Sequence, residues 1–177
     1  MREHPTELQN FLEILSNACY EYLKQQVMSG VNALQIFDSW ADLLSNDDLE
    51  KFSLKYTRML CKLLKEDPLT ASIPIILFEK SPNNKVENII FDEITCISLY
   101  WKEDIKSISK NLKDLFAIQG NLDPKVLLES DELILEETQR ICTIMKDYPG
   151  FIFNLGHGIT PNIDPKKVQV MIDAIRQ

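Results

Sequence analysis

No apolar run in the sequence approaches the roughly 20 residues that a membrane-spanning helix requires, which excludes that class of membrane protein. Positive charge is not in excess either. Nineteen Lys and Arg stand against 27 Asp and Glu, a net charge of −8, and no basic face is available for nucleic acid. Histidine is scarce: His4 and His157 are the only two, each without a second ligand nearby in sequence, whereas a zinc site needs about four. The four cysteines, Cys19, Cys61, Cys96 and Cys142, form no C-x-x-C pair and sit in apolar surroundings. They read as buried, reduced thiols of a cytoplasmic protein. Met1-Arg-Glu-His-Pro5 is polar and leads into an amphipathic pattern, so no signal peptide is expected. Internal repeats and low-complexity linkers are missing, which makes residues 1–177 one domain.

What is present is an alternation of helix and strand signals. Leu8, Phe11, Leu12, Leu15, Cys19, Tyr22, Leu23 and Val27 recur at spacings of about three to four, which predicts one long helix ended by Gly30. Short apolar runs then predict five strands, at 31–37, 73–78, 94–100, 115–119 and from Phe151. Between them fall helical patterns: one starting at Asn46-Asp47-Asp48, a short one near 85–91, one over 104–111, two pieces after Pro124, and a last helix over 165–175. Residues 79–84 read as a loop. Strands alternating with helices imply parallel pairing with crossover helices. The nucleotide-binding form of that class expects a Gly-rich turn after its first strand, and here the turn is Asp38-Ser39-Trp40-Ala41. A partial (β/α)8 TIM barrel is therefore expected, because a full one takes about 250 residues.

The chemistry gathers in three places. Phe151-Ile-Phe-Asn-Leu-Gly-His-Gly-Ile-Thr-Pro161 is a strand breaking into a loop in which Gly156 and Gly158 flank His157. Glycine there permits unusual backbone angles and the close approach of a ligand. The helix opening near Asp164-Pro165 would add the partial positive charge of its amino terminus. Asp38-Ser39 and Gln119-Gly120-Asn121 likewise follow predicted strands. In a parallel barrel those strand ends meet on one rim, where barrel enzymes build their sites, so Ser39, Asn121 and His157 are expected together there.

Gln35-Ile-Phe-Asp-Ser-Trp-Ala41, Gln119-Gly-Asn-Leu-Asp-Pro124 and Asn154-Leu-Gly-His-Gly-Ile159 resemble the uroporphyrinogen decarboxylase family, in the same order and with similar spacing. The resemblance covers the chain from first helix to last and begins about midway through the family sequence. It implies a (β/α)8 barrel, a homodimer, and an enzyme without a cofactor. That enzyme removes carbon dioxide from the four acetate arms of uroporphyrinogen III to give coproporphyrinogen III, a porphyrinogen step toward haem. The resemblance assigns substrate contact to Ser39 and contact with a substrate carboxylate to His157.

It also implies that the family's propionate- and acetate-binding arginines, its catalytic aspartate and a supporting tyrosine have no counterpart here. A chain beginning at that point is expected to be inactive alone and to pair with an amino-terminal half. Two further departures stand out: residues 79–84 replace a Gly-rich family loop, and Tyr100 stands where the family usually has an aspartate before Trp101. Two other readings compete. One is a half-barrel acting only as a structural or interaction piece. The other is a barrel like the corrinoid-dependent methyltransferases, whose zinc-bound thiolate would need a His-x-Cys arrangement that the sequence does not contain.

Overall fold

The chain's contacts gather into two units, Met1–Thr95 and Cys96–Gln177, in a computed structural model that describes residues 3–80, 86–113 and 115–176. The first unit opens with helix α1, Pro5–Met28, with Pro5 at its first turn. Strand β1, Leu34–Asp38, follows. Ser45 then caps the short helix α2, Asn46–Leu49, by accepting from the Asp48 amide. A π-helical turn, Glu50–Leu54, leads into α3, Lys55–Glu66. Strand β2, Ile75–Glu79, pairs in parallel with β1, from Leu34 opposite Ile75 to Asp38 opposite Glu79. Leu34, Ile75 and Leu77 are buried with Leu60, Cys61 and Leu64 of α3, as strands covered by helices should be.

Helix α1 is clasped to the end of α3 by polar groups. The Asp67 carboxylate accepts from the Tyr20 hydroxyl at 2.7 Å and pairs with Lys24 Nζ at 2.8 Å. Those two donors hold the Asp67 carboxyl down at about 2.

The second unit contains β3, Cys96–Ser98, helix α4, Ile105–Leu112, and β4, Ala117–Leu122. Helix α5, Asp131–Met145, β5, Phe151–Leu155, and α6, Pro165–Ile175, complete it. Strands β3, β4 and β5 lie side by side, all parallel. Ile97, Leu99, Ile118 and Leu122 are buried, as are Ile134 and Ile141 of α5. Ser130, Asp104 and Asp164 cap α5, α4 and α6 by accepting from amides of the first turn.

The α/β class and the five strands alternating with helices agree with the sequence reading, and the open sheets fit a partial barrel. The boundaries differ in instructive places. Strand β1 starts at Leu34 rather than Val31, and β3 is three residues long. Strand β2 runs on to Glu79, expected in the loop. Strand β4 runs through Gly120 and Asn121, which the sequence placed beyond its end. Residues 81–84 of the expected loop lie outside the described residues. The short helix near 85–91 is a single 3-10 turn, Val86–Ile89. All four cysteines are free, with Cys61 and Cys96 buried and Cys19 and Cys142 half-buried. Burial pushes the Cys61 and Cys96 thiols up to about 12.

Candidate functional site

In the first unit, Ser39 is half-buried in the turn that leaves the carboxyl end of β1. That turn is held from several directions. The Lys80 amide, just past β2, donates to the Asp38 carbonyl at 3.0 Å, and Lys80 Nζ pairs with Asp42 at 2.7 Å. The Ser53 hydroxyl of the π-helical turn donates to the Asp38 carboxylate. Beside it, Glu79 is 1% exposed, and among the described residues its two carboxyl oxygens lack a hydrogen-bond partner. Burial raises the Glu79 carboxyl to about 8, the neighbouring Asp38 adds to the rise, and Arg58 opposes it. Glu79 therefore carries a proton at neutral pH. Sequence reasoning missed it by ending the strand too early. The period of two through Ile75, Leu77 and Glu79, one face of β2, was the available signal.

In the second unit, His157 is exposed just beyond β5, and its ring meets Tyr100 edge-on, with centroids 6.1 Å apart. Tyr100 in turn packs against Trp101 at 5.4 Å. Tyr100 thus gives His157 an aromatic neighbour. The Gly156 amide donates to the Leu122 carbonyl at 2.8 Å, and the Gly156 carbonyl accepts from the Trp101 amide at 3.3 Å. A β-carbon on Gly156 would lie 2.3 Å from the Trp101 nitrogen. The backbone that comes close at Gly156 is therefore the chain's own. Gly158 faces open space and adopts no glycine-specific angle.

Asn121 is not a rim group facing solvent. It is buried, and its amide donates to the carbonyls of Tyr100 at 3.0 Å and Glu103 at 2.8 Å. Glu103 closes the same loop by accepting from the Tyr100 amide at 2.7 Å. Asn121 therefore fixes the Tyr100–Glu103 segment that lies against His157. Gln119, opposite Ser98 in the ladder, donates to the Ser98 hydroxyl at 3.0 Å and is satisfied within the sheet. A cleft between α4 and α5, lined by Lys106, Lys110, Lys113, Lys146 and Tyr148, lies toward the amino-terminal end of β5. That is the opposite end of the strand from His157, and parallel α/β folds place their chemistry at carboxyl ends. Among the described residues no group of three or more His, Cys, Asp and Glu is placed to hold a metal ion, and no helix is long and apolar enough to cross a membrane.

The geometry thus places Ser39 and His157 each just past the carboxyl end of a parallel strand, within separate units. Comparison with known proteins gives the family. Uroporphyrinogen decarboxylases from Chloroherpeton thalassium and Alcanivorax borkumensis are 36% and 37% identical to this chain, over 98% and 93% of it. The chain covers 50% and 46% of those two proteins. The enzyme of that name from Hydrogenovibrio crunogenus is 35% identical over the whole chain, which covers 50% of it. The chain therefore spans about half the length of the curated relatives it matches, corresponding to the carboxy-terminal half of the family sequence. The family model described as uroporphyrinogen decarboxylase (URO-D) matches residues 1–177, and the chain belongs to that family.

Proposed function

We propose that this chain supplies the carboxy-terminal half-barrel of a cytoplasmic uroporphyrinogen decarboxylase. That enzyme removes the carboxyl groups of the four acetate arms of uroporphyrinogen III without a cofactor and yields coproporphyrinogen III. The observation that carries the reading is the family match along all of residues 1–177. In this role Ser39 contacts the substrate in the cleft, and His157 holds a substrate carboxylate at its mouth. Breaking the bond between a pyrrole acetate carboxyl and its methylene requires a protonated ring as electron sink. It also requires the departing carboxylate to be held in line. A histidine supplies a donor near neutral pH, and fixing the carboxylate serves orientation. The exposed setting of His157 and the clamped turn around Ser39 support those roles.

The groups that stabilise charge on the pyrrole belong to the family's other half. Losing one such donor costs about 10²–10³ in rate, and losing the set removes nearly all turnover. The chain acts with a polypeptide equivalent to that half, and the completed barrel works as a homodimer. The test is anaerobic conversion of uroporphyrinogen to coproporphyrinogen. The 177-residue polypeptide alone should turn over nothing. Mixing it with the amino-terminal half of the Chloroherpeton thalassium relative should produce coproporphyrinogen. A complex that forms and stays inert would sink the decarboxylase reading. Robust turnover by the 177-residue polypeptide alone would show that its own side chains carry the chemistry.

A further inference from the structure

The excess of acid in the whole chain hides a local reversal on the second unit. Lys106, Lys110 and Lys113 follow one another at spacings of four and three, which places them along one side of α4 and its carboxyl-terminal cap. Lys146, which caps α5, joins them across the cleft between the two helices. Against these four lysines, Asp147 is the one acidic side chain that lines the cleft among the described residues. Like charges three and four residues apart on a helix repel. Lysines at the carboxyl end of a helix answer its dipole, which suits Lys110, Lys113 and Lys146. It does not suit Lys106, which sits in the first turn of α4, where a cation is disfavoured.

Elsewhere in the chain, Lys24, Lys55, Lys62, Lys80 and Lys167 are each paired with a carboxylate. Among the described residues, none of the four cleft lysines has such a partner. The cleft itself is held in shape. The Tyr148 hydroxyl donates to the Phe116 carbonyl at 2.7 Å, with the Leu112 carbonyl at 3.0 Å, and so ties the chain after α5 to the segment that carries Lys113. Thr143 adds a hydroxyl donor to the lining and Ile144 an apolar wall. The cleft measures about 450 Å³, the size of a small-molecule site. It lies at the opposite end of β5 from His157, so its occupancy leaves that histidine free.

We propose that the cleft between α4 and α5 is a binding site for a soluble oligophosphate, an anion carrying at least two linked phosphate groups. Four ammonium groups without an arginine supply charge rather than the planar fork that suits a carboxylate. Linked phosphates concentrate several negative charges in a small volume, and lysine holds phosphate as a point charge. A bound oligophosphate screens the repulsion along α4 and offsets the unfavourable position of Lys106. The concave shape favours a compact ligand over a nucleic acid, which needs a continuous basic surface. Acid prevails in the chain as a whole, at net charge −8, so the field around it steers such an anion toward this cleft.

The test is calorimetric titration of inorganic tripolyphosphate into the 177-residue chain at about 0.15 M salt. One equivalent should bind, and the thermal unfolding midpoint should rise with its concentration. Lys110→Gln/Lys146→Gln removes two charge-assisted contacts and should weaken binding about tenfold or more. Both side chains are exposed, so the circular dichroism spectrum should stay unchanged. Lys125→Gln, at an exposed lysine outside the cleft, should leave binding as it is. A parallel titration of ATP separates two sources of the phosphate chain. Binding no tighter than that of tripolyphosphate assigns the inorganic chain, tighter binding assigns a nucleotide, and both uphold the site. Absence of saturable binding overturns the proposal, as does binding indifferent to the double substitution. Citrate bound as tightly as tripolyphosphate also overturns it, because the cleft would then select charge and not phosphate.

Discussion

Gly156 passes so near Trp101 that a β-carbon on the glycine would meet the Trp101 backbone nitrogen at 2.3 Å and its α-carbon at 2.5 Å. The obstruction is backbone, so no side-chain rotation relieves it. Gly156→Ala must push the β5 loop away from the segment after β3 and stretch the 3.3 Å bond between the Trp101 amide and the Gly156 carbonyl. Overpacking of this kind costs about 1–3 kcal/mol. Gly158→Ala meets nothing within 4 Å and should be neutral. Urea denaturation of both variants checks the contrast, and equal midpoints would mean that the loop has another place to go.

Asn121→Ala is expected to destabilise by about 1–3 kcal/mol, because two buried carbonyls lose their donor at once. The substitution should also increase the exchange of amides in the 100–103 segment, which Asn121 pins at Tyr100 and Glu103. A loss within about 0.5 kcal/mol, the range of ordinary surface changes, would show that other contacts hold the segment.

These two residues show how far the sequence could be read. The helices were legible because their evidence is local: apolar spacing of about three to four along α1, and Ser, Asp and Pro at the starts of α4, α5 and α6. The strands were legible as apolar runs. The polar motifs were found, but their duties depend on partners distant in sequence. Asn121 read as a rim residue past the strand because nothing nearby reveals that its amide reaches the carbonyls of Tyr100 and Glu103. Gly156 read as freedom for a ligand, whereas its neighbour is Trp101. Glu79 looked like the first residue of a loop, because a buried carboxyl at a strand end contradicts the usual rule for charged residues.

His157→Asn should weaken the completed enzyme through substrate binding. Asparagine keeps an N–H donor but sets it at a different distance from the backbone than the imidazole does, so the carboxylate is held less well. A loss of about 1.5 kcal/mol, within the range for hydrogen bonds to charged groups, corresponds to about tenfold in kcat/KM and should appear mainly as raised KM. The ring also rests edge-on against Tyr100, so Tyr100→Phe serves as a control that preserves this contact. An unchanged KM in His157→Asn would remove the histidine from the substrate site.

The Glu79–Asp38 pair makes the first unit sensitive to alkali. Glu79 is opposite Asp38 in the parallel ladder, and burial holds its carboxyl at about 8, against an ordinary value of 4.5. The other charges bearing on it are Arg58, which favours ionisation, and Glu50, which opposes it. The folded pKa lies above the unfolded one, so the folded state binds the extra proton between pH 4.5 and about 8. The stability contributed by that proton is fully present below pH 4.5 and is lost as pH rises through about 8. One proton corresponds to about 1.4 kcal/mol for each pH unit well inside the window. Between pH 6 and pH 8 the unit should lose about 2 kcal/mol through this group. Glu79→Gln mimics the protonated side chain and cannot ionise beside Asp38, so its stability should fall less over the same interval. The alkaline loss should also loosen the Ser39 turn, because Asp38 begins that turn and accepts from Ser53 and the Lys80 amide. Denaturant titrations of both proteins at pH 6 and pH 8, with amide exchange over 38–42, measure the difference. Parallel stability curves for wild type and Glu79→Gln would mean that Glu79 is already ionised in the folded chain, with a counter-charge that takes the place of its proton.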